Sequence, residues 1–330
     1  MRRPNLNDAA KSTGCFDVHR FNGSGTTKAS REDAWHAFRK LGVGGSDMST
    51  ILGLNQYATP YDLWLEKTGR VEPDDISDRW AVVKGNALED ALRTRFRMLH
   101  PELLVTKGTD ISLVSKAHPC MHASLDGFLY DAATGSWGVL EIKTANASRG
   151  RTDWHDEDGN LIAPDYYMAQ VTHYMAVTGF QWGYFYADIG ESEPVEVRFE
   201  RDDEDCATVV KAAEEFWGFV QRDEMPALTG VDVAKAYPQD DGSLVQVDDS
   251  EFDRLCALYK AHAEAETAEK KAKDLIADQL KPLIGEHKGV LSLDWKATYT
   301  TQTRPEHLVK ASTSRVLRVS GIKPKTKERN

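Results

Sequence analysis

Cysteine is scarce in this chain of 330 residues: Cys15, Cys120, Cys206 and Cys256 stand far apart, with no C-x-x-C pair. That spacing signals no zinc ribbon, thiol–disulfide centre or iron–sulfur cluster, and buried free thiols are the expectation. Long apolar runs are missing as well. No stretch is long enough to cross a membrane, and the opening MRRPNLNDAAKSTG lacks the apolar core of a secretory signal, which predicts a cytoplasmic protein with no membrane contact. Internal repeats are also lacking. Hydrophobic residues at 41% and charged residues at 28% are ordinary for a globular protein, and the length suits one large domain with an appendage.

Positive charge is in deficit, with a net charge of −11. A total hides its distribution, however. Residues 188–253 hold 20 acidic against 5 basic side chains, whereas residues 301–330 hold 8 basic against 2 acidic and residues 1–30 hold 5 against 2. The acidity is local, and the basic ends remain available to phosphates.

Residues 1–30 are polar and rich in Gly, Ser and Thr, and are expected to form a loose N-terminal arm. A helix follows in REDAWHAFRKLG, with Trp35, Phe38 and Leu41 on one face, and Gly42, Gly44 and Gly45 break it. SDMSTILGL offers Ser46 or Asp47 as an N-cap, YDLWLEKTG reads as a helix closed by Gly69, and RWAVVKGNALEDALRTRFRML as a longer one stopped by Pro101. DISLVSK, ASLDGFLYD and GVLEIKTA then predict an antiparallel meander. The helix YYMAQVTHYMAVTG, the strands QWGYFYADI and PVEVRFE, and the helix DEDCATVVKAAEEFWGFVQRD complete a unit over 31–229. The extension 230–330 combines an Ala/Glu/Lys-dense helix over 250–281 ended by Pro282 and Gly285, a hairpin in KGVLSLDWKATYTTQTR, and a basic tail with Arg315, Arg318, Lys323, Lys325, Lys327 and Arg329. Helices, strands and helices in this order fit an α/β (α+β) fold with a mixed sheet flanked by helices.

Charge on strand-like sequence marks the candidate site. Glu141 and Lys143 in GVLEIKT share a strand face because side chains alternate with period two, and Asp126 precedes them. Paired carboxylates repel unless a divalent cation bridges them, and oxygen ligands of this kind suit Mg2+ or Mn2+. A neighbouring lysine can orient a water and offset charge developing on phosphorus, which is the minimum equipment for metal-assisted phosphodiester hydrolysis. The same pattern also arises on an exposed strand. Glu89 in KGNALEDALRTRF could be helix surface. Gln170 and Tyr174, one helical turn apart, could form an incidental polar stripe in a core helix.

Taken in order, DAWHAFRKLGVGGSD, KGNALEDALRTRF, SLDG, LEIKT and YYMAQVTHYMAVTG resemble the lambda-exonuclease and YqaJ-type viral recombinase family, within the PD-(D/E)XK, restriction-endonuclease-like nucleases. The resemblance covers roughly residues 31–225. It implies Asp126, Glu141, the carbonyl of Ile142 and the helix-borne Glu89 around Mg2+, with Mn2+ able to substitute. It implies Lys143 as catalytic lysine, Gln170 as its support and Tyr174 behind them. Arg39 and Ser46 fall where the family shapes a pocket for a terminal 5′-phosphate. The implied activity is a 5′-to-3′ exonuclease on linear double-stranded DNA whose exposed 3′ strands pass to a single-strand annealing protein. The implied assembly is a homo-oligomer of a kind that can close into a ring. A structure- or sequence-specific endonuclease on the same fold, and an inactive DNA-binding or assembly module, are the alternatives. The GGS sequence resembles the YqaJ branch more than the lambda protein, and the C-terminal hundred residues have no counterpart in the minimal lambda-type enzyme.

Overall fold

The computed structural model describes residues 3–23, 26–190, 193–302 and 317–319. The chain divides into two compact units, Met1–Asp232 and Val233–Asn330. The first begins with α1 (Leu6–Thr13), β1 (Phe16–Arg20), α2 (Lys28–Arg39), β2 (Val43–Gly44), α3 (Gly45–Ile51), α4 (Pro60–Lys67) and α5 (Trp80–Leu99). Five strands follow: β3 (Leu103–Lys107), β4 (Ile111–Ser115), β5 (Met121–Ala123), β6 (Gly127–Asp131) and β7 (Ser136–Thr144). Then come α6 (Ala147–Asp153), α7 (Asp165–Thr178), β8 (Trp182–Asp188), β9 (Val195–Glu200) and α8 (Asp203–Arg222), while α9 (Gly230–Ala236) spans the division.

The central sheet has the order β3-β6-β7-β8-β9, parallel between β7 and β8 and antiparallel elsewhere. A parallel pair needs a crossover, and α6 with α7 supplies it. β7 runs buried from Trp137 to Ile142 because helices cover both of its faces. Leu140 and Ile142 pack with Leu92 and Phe96 of α5 and with Trp182 and Tyr186. The alternate residues Val139, Glu141 and Lys143 therefore face α7. Phe96 is fully enclosed, and truncating such a ring to alanine costs about 3–5 kcal/mol. The expected mixed sheet flanked by helices is thus present.

The expected single meander is instead divided between two sheets. β4 and β5 join β1 and β2 in a four-stranded sheet of order β1-β4-β5-β2, while β6 and β7 form a hairpin in the central sheet. The chain changes sheets through Ser124, Leu125 and Asp126, so Asp126 sits at the crossing. β3, which pattern reading passes over, pairs with β6 and lengthens the central sheet. The described part of the first thirty residues, 3–23 and 26–30, is not the expected loose arm. Asn5 caps α1 in a reciprocal box with Asp8, Gly14 ends it at φ 69, and β1 pairs with β4 so that Leu6, Ala9 and Phe16 are buried. Leu41 lies past the end of α2 and is exposed rather than on its packed face.

The cap of α3 also differs from expectation. Gly44 occupies the N-cap, and Asp47, three residues on, accepts its N–H at 2.9 Å. Gly45 has no alternative at its position, since a Cβ there would collide with the Tyr174 ring of α7. Of the cysteines, all free, only Cys206 is buried.

The second unit contains α10 (Ser250–Ile284), capped by Asp249, and a hairpin of β10 (Gly289–Leu291) with β11 (Lys296–Thr298). Pro282 lies inside the last turn of α10 instead of stopping it, because a proline there forfeits one ladder bond near an end already short of partners. Gly285 is the C-cap. Of the basic tail, Arg318 is described, and Arg315, Lys323, Lys325, Lys327 and Arg329 lie outside the described residues. Among the described residues no helix is long and apolar enough to cross a membrane.

Candidate active site

Pairing between β6 and β7 ends at Gly127 opposite Leu140, because the chain bends away at Asp126 to reach β5. The edge of β7 beyond Leu140 is left open, and the Asp126 side chain takes the vacated place: its Oδ2 accepts the Ile142 N–H at 2.8 Å. A strand residue presents its N–H and C=O on one edge, so the Ile142 carbonyl also faces the Asp126 side.

Glu141 projects from the middle of β7 toward α7 and is 2% exposed. Its Oε1 accepts from Lys143 Nζ and from Gln170 Nε2, each at 2.6 Å. Lys143 also donates to Gln170 Oε1 at 3.0 Å and sits 4.4 Å from the centre of the Tyr167 ring. Gln170 Nε2 reaches the Tyr174 hydroxyl at 2.8 Å. All these donors converge on one oxygen. The other, Oε2, is buried with no hydrogen-bond partner.

Electrostatics sharpen the contrast. Burial, the Glu141 charge and, more weakly, Glu89 push the Asp126 carboxyl well above the usual range, against the pull of Lys143. Burial also raises Glu141, though Lys143 counters it. Burial would lower the Lys143 ammonium, but Glu141, Tyr167 and Asp126 outweigh it and hold its pKa above the ordinary lysine value. Lys143 therefore stays charged, while the two carboxylates lack sufficient positive charge.

Glu89, on α5, departs from expectation. Its carboxylate is held by Arg93, one turn on, which also binds Asp90 and donates from Nε to the Asp126 backbone carbonyl at 3.0 Å. Arg93 is 7% exposed, and a guanidinium so enclosed requires carboxylate partners. Among the described residues no three His, Cys, Asp or Glu side chains gather about one point, so Glu89 does not complete a three-carboxylate set here. The candidate oxygen donors that remain are Asp126, Glu141 and the Ile142 carbonyl. They fit a hard divalent ion that keeps several waters, and the partnerless Glu141 Oε2 is the atom such an ion would satisfy.

Arg39 closes α2 and donates from Nη2 to Ser46 Oγ at 2.9 Å and to Asp47 Oδ1 at 3.3 Å. Asp47 is nearly buried, and Lys67 binds its other oxygen at 2.7 Å. Burial opposes the Asp47 charge, yet Lys67 and Arg39 hold its carboxyl below the usual range. The Trp35 ring lies 5.0 Å from the Arg39 guanidinium carbon. Arg39 is thus fixed on one side while part of its fork faces open space.

All nine residues singled out in the sequence line one cavity of about 420 Å³. The structure adds Tyr167, Arg93, Asp47 and Lys67. Tyr167 stands three residues before Gln170 and Arg93 four after Glu89, both helical spacings, but the Asp47–Lys67 pair leaves no signature in sequence.

A mixed sheet whose open strand edge carries an Asp–Glu–Lys cluster braced by a helical glutamine has the layout of metal-assisted phosphodiester chemistry. Residues 34–181 match the model of the YqaJ-like viral recombinase domain. The uncharacterized protein YqaJ of Bacillus subtilis (strain 168) is 36% identical over 211 residues, which are 62% of this chain and 61% of that protein. The chain thus spans less than two thirds of that relative. Among solved structures, LHK-Exo, an alkaline exonuclease from Laribacter hongkongensis, is 21% identical over 58% of this chain and 93% of its own, with a TM-score of 0.44. Its complex with dAMP scores 0.46. A phage-related exonuclease from Haemophilus somnus is 13% identical over 57% and 99% of the two chains, with a TM-score of 0.37.

Proposed function

We propose that this chain is a Mg2+-dependent deoxyribonuclease that degrades the 5′-phosphorylated strand of linear double-stranded DNA from its end, exposing 3′ single strands for recombination by annealing. Mn2+ substitutes for Mg2+. The observation that carries this reading is the buried Glu141 Oε2, which has no hydrogen-bond partner, on a side chain that lines the same cavity as Asp126, with the Lys143 ammonium bound to the other Glu141 oxygen.

Asp126, Glu141 and the Ile142 carbonyl would hold the metal, which supplies Lewis-acid charge to the scissile phosphate. Lys143, kept protonated by Glu141 and steadied by Gln170 and Tyr167, places a fixed positive charge beside the phosphorus centre and orients the attacking water. Gln170, anchored by Tyr174, keeps Glu141 Oε1 occupied and leaves Oε2 for the metal. Arg39, with two contacts on one side and open space on the other, offers its remaining donors to a terminal phosphate, and Ser46 adds a hydroxyl. That grip sets the strand end a short distance from the carboxylates and favours removal from the 5′ end. DNA-bound assembly as a homo-oligomer that closes into a ring, and delivery of the 3′ strand to a single-strand annealing protein, belong to the same proposal.

Comparing a linear duplex bearing 5′-phosphates with a covalently closed circle tests it. Nucleotides are released from the linear duplex only; efficient cutting of the circle assigns the site to an endonuclease instead. Arg39→Ala lowers the preference for a phosphorylated over an unphosphorylated end, and equal loss on both removes the pocket assignment.

A further inference from the structure

Past Lys143 the chain enters a second cavity of about 420 Å³, and Thr144 and Tyr167 line both this cavity and the catalytic one. Its chemistry differs. Tyr57, Trp154, Tyr166 and Tyr167 supply aromatic rings, and Asn55, Gln56 and Asn146 supply polar side chains. The charged groups lining it, Arg149 and Asp153, face each other at 3.2 Å, and the Tyr166 hydroxyl donates to the same Asp153 oxygen at 3.0 Å. Little uncompensated charge remains to draw a phosphate, in contrast to the open donors of Arg39.

Tyr57 stands out within it, because the residue is 80% exposed. It is nevertheless held: its N–H donates to Asn55 Oδ1 at 2.9 Å, its hydroxyl accepts from Arg149 Nη2 at 3.2 Å, and Asn55 donates to Thr50 Oγ1 at 2.9 Å. A large ring kept in water forgoes the stabilisation of burial. An oriented aromatic face beside a guanidinium, rimmed by amides, is the surface on which proteins stack the bases of single-stranded nucleic acid.

We propose that this cavity holds a nucleobase of the DNA strand being cut, stacked on Tyr57, next to the phosphate that Lys143 faces. The inference rests on the nuclease reading and adds the substrate's bases to it. Tyr167 marks the junction, since the Lys143 ammonium lies over its ring and the same side chain walls the second cavity. Amide groups serve any base edge and a ring stacks on any base, so the subsite adds affinity with little sequence preference.

The test uses the full chain with Ca2+ in place of Mg2+ and a short 5′-phosphorylated single strand carrying 2-aminopurine near its 5′ end. Tyr57→Ala weakens binding about tenfold, the scale of one lost base stack. The 2-aminopurine fluorescence is quenched by the wild type and by Tyr57→Phe, and not by Tyr57→Ala. An Ala variant that binds and quenches like the wild type overturns the subsite. So does a Phe variant as weak as the Ala variant, since the hydroxyl rather than the ring would then be at work. Wild-type hydrolysis of bis(p-nitrophenyl) phosphate with Mn2+ tests the nuclease reading separately: its absence defeats that reading, while the binding series decides the subsite.

Discussion

Asp126→Asn is the perturbation whose sign follows most directly from the site. Among the described residues the Asp126 side chain has one hydrogen bond, accepted from the Ile142 N–H, and an asparagine carbonyl accepts it equally well. What the substitution removes is a charge that burial and Glu141 both disfavour. Because the native carboxyl is raised, the folded protein holds this proton more tightly than the unfolded chain does. Its contribution to stability is full below the unfolded pKa and is lost as pH rises toward and through the folded one, so the penalty on the metal-free wild type is far larger at pH 8 than at pH 4. Relieving such functional strain commonly gains about 1–2 kcal/mol. For a domain of this size that raises Tm by about 2–8 °C. Scanning calorimetry in EDTA at pH 8 therefore shows the variant more stable than the wild type, with the gap narrowing toward pH 4. Mg2+ at a hundredfold excess over its Kd stabilises the wild type by about 2.7 kcal/mol and leaves the variant unchanged. A variant less stable than the wild type in EDTA, or one stabilised equally by Mg2+, refutes the assignment of Asp126 as a strained metal ligand.

Arg93→Met leaves the partly exposed Glu89 unpaired and releases the Asp126 carbonyl, so urea unfolding shows a loss of about 1–2 kcal/mol and isothermal titration shows weaker Mg2+ binding. His173 is fully buried, its Nε2 bonds the His122 carbonyl, and burial lowers its pKa from 6.5 to about 4. The native state thus binds this proton less tightly than the unfolded chain, and stability present above pH 6.5 falls by about 3 kcal/mol as pH drops to 4. His173→Gln flattens the Tm-against-pH curve across that window; an unchanged slope contradicts the assignment. Gly45→Ala forces α3 from α7 and costs about 1–3 kcal/mol in thermal unfolding, with Tyr174 and Gln170 displaced together so that activity falls with it.

Much of the site was legible because helices and strands repeat. Period two put Glu141 and Lys143 on one face, and one helical turn put Gln170 beside Tyr174; both meet in the structure. The strands β6 to β9 of the central sheet followed from the same alternation. What sequence could not convey depends on where the chain changes direction. Asp126 meets Ile142 only because the chain crosses between sheets there, and a run of three strand-like segments looks the same whether it forms one meander or two. The ordered N-terminus was hidden by its polarity, since Leu6, Ala9 and Phe16 are few and widely spaced yet find partners in β4 and its neighbours. The fate of Glu89 turned on competition: the sequence shows a carboxylate near three arginines, and only packing selects Arg93 as its partner.

The Asp126–Glu141–Lys143 cluster is proposed to hydrolyse DNA from a 5′-phosphorylated end with a divalent metal. The most direct measurement is acid-soluble nucleotide release from a linear 5′-phosphorylated duplex, with Mg2+ or EDTA, by the wild type and Lys143→Ala. Release by the wild type in Mg2+ alone, abolished in the variant while its fold and Mg2+ binding persist, is the predicted result. Release that survives Lys143→Ala, or no release by the wild type in Mg2+ or Mn2+, contradicts the account.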